Sequence, residues 1–272
     1  MTEKNISNIA IHTITNRPWT TEQCIEEYSK TGIGGITFWR YSFEGRDPKK
    51  VGEQARNSGL DVVSVARGGF FAAESKEDRE KAIDDNKKAI DETHAVGAPS
   101  LVLVCGSSKH QNLDTSRGQI QDGIAECLEH AKDAEVILAI EPLHPMYAAE
   151  RSAINNMAQA NTICENLDNH PNVGVALDVY HTWWDEKLNE EISRSFNNGN
   201  LTSYHICDWL SPMEDMLNDR GLMGEGSIDV NQISKWVSES GFTGFHEVEI
   251  FSERWWKTDQ HDYLSKIISY FE

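Results

Sequence analysis

The sequence predicts an α/β fold, a single-domain (β/α)8 TIM barrel, from three observations. Eight short apolar runs alternate with eight longer amphipathic ones, and no linker, low-complexity tract or composition shift divides the chain. Its 272 residues average 34 per strand–helix unit (272/8), in keeping with the roughly 30 that a βα repeat needs. The Gly-rich phosphate turn usual after the first strand of an open doubly wound sheet is missing, and the chain reads Ile11-His-Thr-Ile-Thr-Asn-Arg-Pro there. One domain over residues 1–272 is therefore expected.

The first strand is expected over Ile9–Thr13. Its helix opens at Thr20/Thr21 with a capping hydroxyl and an early acid, Glu22, and ends before Thr31-Gly32. Strand Gly35–Arg40 leads to a helix over Asp47–Asn57. Strand Val62–Ala66 leads to the charged amphipathic helix Lys76–Val96, stopped by Gly97-Ala-Pro99. Strands Leu101–Cys105 and Ile137–Glu141 precede helices over Thr115–Ala134 and Ala153–Leu167. Strands Val173–Asp178, Ser203–Cys207 and Gly244–Ile250 precede helices over Trp184–Phe196, Asp229–Ser240 and Asp259–Phe271. Runs such as Leu-Val-Leu-Val from Leu101 and Val-Ile-Leu-Ala-Ile from Val136 lack alternation, as parallel strands buried on both faces do.

With 25 Lys+Arg against 44 Asp+Glu, the net charge is −19. That balance argues against a nucleic-acid or anionic-membrane partner, since both need clustered basic residues. No run approaches the ~20 apolar residues of a membrane span, and Met1-Thr-Glu-Lys-Asn lacks the apolar centre of a signal peptide. Five scattered cysteines without a C-x-x-C pair read as reduced thiols, so a cytoplasmic protein acting on a small molecule is expected.

In a barrel the last residue of each strand faces the C-terminal mouth, where chemistry is done. Four successive strands end there in Glu141, Asp178, His205 and Glu249. Buried carboxylates need a compensating cation. Three carboxylates with one imidazole suit a divalent ion such as Mn²⁺, Mg²⁺, Co²⁺ or Fe²⁺ rather than thiolate-bound zinc. Further mouth candidates are His12, Trp39, Arg40 and Arg67 at the ends of the first three strands, with His144 three residues past Glu141. Trp183-Trp184 and Trp255-Trp256 are candidate walls for a sugar, because aromatic faces pack on its C–H faces. A phosphate would need clustered Lys/Arg. The candidates are few (Arg40, Arg67, Lys109, Arg220), which points to an unphosphorylated substrate.

The motifs Glu141-Pro-Leu, Leu177-Asp-Val-Tyr-His181, Tyr204-His-Ile-Cys-Asp208 and Glu247-Val-Glu-Ile-Phe251 resemble the xylose-isomerase-like TIM barrels. This is the superfamily of sugar (phosphate) isomerases and epimerases that includes tagatose 3-epimerase, inosose isomerase and inosose dehydratase. The resemblance spans essentially the whole chain. It implies one divalent metal ion, Mn²⁺ foremost, on Glu141, Asp178, His205 and Glu249. It also implies Glu141 and Glu249 as the acid/base pair and His181 as a substrate contact. Two positions depart from the epimerase branch: Tyr147 stands where a glutamate is usual and Ser211 where an arginine is, leaving Arg220 as the nearest arginine. A carbohydrate isomerase or epimerase acting through an enediolate is the leading expectation. A lyase or dehydratase on the same site is the runner-up, and a non-catalytic sugar-binding module the alternative of another class. A homo-oligomer with Trp255-Trp256 in its contact is a further expectation.

Glu247 and Glu249 share one face of the last strand, because side chains alternate. Glu249 lies about 6–7 Å nearer the mouth. It is expected as ligand and base, with Glu247 one layer deeper, supported by an Arg, His or hydroxyl.

Overall fold

The computed structural model describes residues 6–272, so the reading made on Met1–Asn5 falls outside the described residues. Eight parallel strands close into the expected barrel. In chain order they are β1 (Ile9–His12), β2 (Gly35–Trp39), β3 (Asp61–Gly69), β4 (Ser100–Val104), β5 (Ile137–Glu141), β6 (Val173–Asp178) and β7 (Leu201–Ile206). After a two-stranded antiparallel ribbon, β8 (Asp208–Trp209) and β9 (Arg220–Gly221), comes β10 (His246–Val248), which pairs with β7 and β1 and closes the ring. The ribbon is a feature the periodicity did not predict.

The main helices outside the strands are α1 (Thr21–Ser29), α2 (Pro48–Asn57), α3 (Lys76–Val96), α4 (Leu113–Asp133) and α5 (Met157–Asn166). After the short α6 (Val179–Thr182) come α7 (Leu188–Asn197), α8 (Val230–Ser240), the short α9 (Glu253–Trp256) and α10 (Gln260–Ser269). Several starts follow from capping chemistry. The Thr20 hydroxyl accepts from the Gln23 amide in a capping box, and Asp47 caps α2 with proline at its first turn. Gly97 ends α3 in the left-handed conformation. The helix expected from Ala153 begins only at Met157, where Asn156 caps it, because the chain before it bridges to Gly106. The helix expected from Trp184 begins at Leu188, behind α6. No helix among the described residues is long and apolar enough to cross a membrane.

Alternation sorts each strand. Leu138 and Ile140 of β5, Val175 and Leu177 of β6, and Leu101 and Leu103 of β4 join the large core beneath the helices. Ala66, Val102, Ala139 and Ala176 form a small cluster of their own, against which Trp39 packs. Two strand positions on lie Val104, Glu141 and Asp178, so the small inner layer leaves room beneath the mouth for polar groups.

One close contact between helices gives a sign test. Replacing a helical glycine by alanine ordinarily stabilises by up to about 1 kcal/mol. A Cβ on Gly52 of α2, however, would stand 1.9 Å from the carbonyl oxygen of Val96 at the end of α3. Gly52→Ala is therefore expected to destabilise by about 1–3 kcal/mol, measured by urea unfolding; a stabilised variant would show that α2 and α3 are not packed this closely.

Candidate metal centre

Glu141, Asp178, His205 and Glu249 come together at the mouth, fully buried, with one ligand atom of each lying within 4.8 Å of all the others. Strand register explains the convergence: Asp178 pairs with His205, and His205 with Glu247, across neighbouring strands. Glu249 stands one residue beyond β10, its amide still donating to the Ile206 carbonyl at 3.2 Å. His205 Nδ1 shares a 3.2 Å hydrogen bond with Glu141 Oε1, and Asp178 Oδ1 accepts from the Tyr180 amide at 2.8 Å.

Glu247 lies beneath, with the His and hydroxyl partners expected of it. Thr37 and Ser64 donate to its Oε2 at 2.6 and 2.8 Å, His12 Nε2 lies 3.3 Å away, and His205 Nε2 lies 3.8 Å from Oε1. His12 is thus a brace and not a rim residue: its other nitrogen, Nδ1, is 2.9 Å from Glu249 Oε1.

Arg220 arrives from the ribbon, where β9 pairs with β8 and its own amide donates to the Phe251 carbonyl at 2.8 Å. Asp208 organises the surrounding loop by accepting from the amides of Gly224, Gly226 and Ile228. The buried guanidinium donates through Nη1 to Asp178 Oδ2 (2.8 Å) and Glu249 Oε2 (3.1 Å), and through Nη2 to His181 Nε2 (3.2 Å).

The electrostatics follow this wiring. Burial raises the carboxyls of Glu141 and Asp178 above the usual range, against the pull of His205 on the first and Arg220 on the second. Burial would raise Glu249 too, but His12, Arg220 and His205 outweigh it and hold this carboxyl well down. Glu247, despite burial, is held at about 2 by His205, His12 and Thr37. Burial opposes the charge on His205, yet Glu247, Glu141 and Glu249 push it up to about 10. Burial and Arg220 push the His181 imidazole far down, so it accepts from the arginine. A divalent cation fits this donor set: it would let all three carboxylates ionise in a dry site, through oxygen ligands and one imidazole.

The cleft above is lined by Trp39, Arg67, Tyr147, Arg151 and Phe251 as well as by Glu141, His181, Arg220 and Glu249. Trp39 packs edge-on against Phe251 at 5.2 Å. Leu217 also faces the cleft, and the Tyr147 and Tyr180 hydroxyls donate to the neighbouring Met216 carbonyl, the second at 3.4 Å, pinning that loop.

Other candidates are elsewhere. His144 does not line the cleft; it packs on Trp209 at 4.7 Å and caps its own short turn. Arg40 is paired with Asp85 and Glu92 of α3. Trp183 packs on Trp209, and the Trp184 indole donates to the His181 carbonyl. Trp255 stacks on Tyr263, and Trp256 donates to the Ile14 carbonyl, so both serve contacts within the chain. Arg151 and Leu217 were missed, because each sits in a long loop with no periodicity to mark it. A roomier groove of about 310 Å³ between α4 and α5 has no carboxylate–histidine cluster, and its Arg117 is already bonded to Ala153 and Asp114.

Three comparisons bear on this geometry. The solved structure of protein SMc04130 from Sinorhizobium meliloti 1021 is 42% identical, with a TM-score of 0.93 over 97% of each chain. The structure of an IolI protein with a bound zinc atom has a TM-score of 0.82 at 18% identity, over 97% of this chain and 99% of that one, a likeness of fold. Among curated proteins, L-ribulose-5-phosphate 3-epimerase UlaE of Salmonella typhi is 24% identical over 177 residues, 64% of this chain. The match spans 58% of that relative's length. The family model described as a xylose isomerase-like TIM barrel matches residues 25–271, and the chain belongs to that family.

Proposed function

We propose that the protein is a divalent-metal-dependent isomerase or epimerase of a keto-sugar, polyol or cyclitol. The observation that carries this reading is the convergence of Glu141, Asp178, His205 and Glu249 in one buried cluster. The partial match to ribulose-phosphate epimerases supports sugar chemistry. Glu141, Asp178, His205 and Glu249 would hold the ion, Mn²⁺ being our first choice and the zinc of the IolI structure making Zn²⁺ a second. When bound, the ion supplies Lewis-acid polarisation of the substrate carbonyl.

Glu249, kept ionised by His12 and Arg220, takes the proton from the carbon beside the carbonyl. Glu141, at the other end of the ligand set, is the group that returns a proton to the carbon. Return to the opposite face of the same carbon is epimerisation; return to the neighbouring carbon is isomerisation. His181 and Arg220 orient substrate oxygens, while Trp39 and Phe251 cover the C–H faces and exclude water. The five cysteines, all buried and free, support a reducing, cytoplasmic setting.

The test is proton exchange in D₂O, followed by NMR, with Mn²⁺-loaded protein and a panel of ketoses and keto-cyclitols. Exchange at the acidic carbon is expected, lost on chelation and restored by added metal. Stoichiometric metal with no exchange on any member of the panel would overturn the reading.

A further inference from the structure

Two arginines at the mouth are left over by the chemistry above. Among the described residues Arg67 and Arg151 have neither a hydrogen bond nor an ion pair from their guanidinium groups, a state they share only with Arg17. In a chain with 44 acidic residues, eight other arginines have found acceptors, so this pair is conspicuous. Both are half-buried and both line the cleft.

Their placement is set by the fold. Arg67 belongs to β3. Arg151 precedes Ser152, which bridges to Gly106 just past β4, and its carbonyl accepts from the Gly106 amide at 2.9 Å. In the closed order β3 and β4 lie across the barrel from β7 and β10, which carry His205 and lead to Glu249. The pair therefore sits across the mouth from that side of the metal centre. Each guanidinium rests on an aromatic ring, Arg67 on Phe70 at 4.3 Å and Arg151 on Tyr147 at 5.7 Å. Such contacts use the cation's face and leave its N–H donors for a ligand.

We propose that Arg67 and Arg151 receive an anionic substituent of the substrate, a phosphate ester or a carboxylate, at the end remote from the reacting carbon. This rests on the isomerase reading for what the site does, and a phosphate ester there would reverse the sequence expectation of an unphosphorylated substrate. Glu141 and Glu249 line the same cleft but bond to other partners, and two half-buried cations without bonded acceptors are costly unless an anion joins them. Burial, and after it the Arg151 charge, bring the Arg67 guanidinium down to about 10 against the pull of Glu141 and Asp85, in keeping with two cations placed in one cleft. The remaining phosphate candidates do not compete, since Arg40 and Arg220 are held by acids and Lys109 is exposed, outside the residues that line the cleft.

Calorimetry on metal-loaded protein decides the matter with three probes: xylulose 5-phosphate, 5-keto-gluconate and free xylulose. At least one anionic probe is expected to bind about tenfold or more tighter than the free ketose, and which one identifies the group as phosphate or carboxylate. Arg67→Gln and Arg151→Gln should each remove that advantage while keeping metal content and thermal midpoint. Arg67→Lys, which keeps the charge and loses the fork, should retain part of it and guards against misfolding of the Gln variants. Equal affinity for all three probes, no binding of either anion, or an advantage that survives both Gln substitutions overturns the proposal. A tightly bound anion that shows no proton exchange would instead sink the isomerase reading and leave this one standing.

Discussion

Glu249→Gln should lower turnover by about 10²–10⁴-fold, the range of a lost general base, and should weaken metal binding as well. Glu249 touches His12 and Arg220 and contributes an oxygen to the four-residue cluster; an amide neither takes a proton nor offers the same charge. Glu247→Gln is the control. Its carboxylate reaches Thr37, Ser64, His12 and His205 but not the cleft. As a support to His205 it should cost about 10–100-fold in metal affinity, with turnover regained at saturating metal. Bound metal and exchange rate, measured side by side for the two variants, test the assignment. If Glu247→Gln abolishes turnover at saturating metal while Glu249→Gln keeps it, the roles are reversed.

Removing Arg220 should have the largest effect on stability. The residue is 3% exposed, and its guanidinium faces Asp178 and Glu249 at once. Arg220→Met fills similar space but strands buried Asp178 and leaves Glu249 with His12 as its remaining close partner, which is expected to cost about 3–5 kcal/mol in the metal-free protein. Urea unfolding of chelator-treated samples reads the loss. In an Asp178→Asn background the same substitution should cost less, because the stranded charge has gone. Equal costs in the two backgrounds would mean that Arg220 acts by packing, against Tyr180 at 4.4 Å and Phe251 at 5.0 Å, and not by charge.

How far the sequence could be read depends on which force places each residue. Strand-end residues were legible because alternation and burial act over a few neighbours: Ile140 must turn outward, so Glu141 turns in, and the same holds for Leu177 and Asp178. Glu247 was placed one layer below Glu249 by the same rule, and its hydroxyl and imidazole partners are present. Arg220 could be nominated but not placed, since it depends on a ribbon of two residues per strand, too short for any periodicity. Arg151 was illegible because its position comes from a single bridge between Gly106 and Ser152, a tertiary contact with no local signature. The helix expected from Ala153 failed for the same reason, as the bridge holds the chain extended before Asn156 can cap it.

The polar knot beneath the mouth also fastens the two ends of the barrel sheet to each other. Glu247 on β10 is tied to His12 on β1, Thr37 on β2 and Ser64 on β3, which are the first three strands to be made. Until β10 docks, His12 and those hydroxyls have no acid to meet, and Glu141, Asp178 and His205 lack their fourth companion. Long-range closure of this kind is a late and slow event in folding. Completion of the site and closure of the ring should therefore be one step, because Glu249, its brace by His12 and the buried support from Glu247 all arrive with β10.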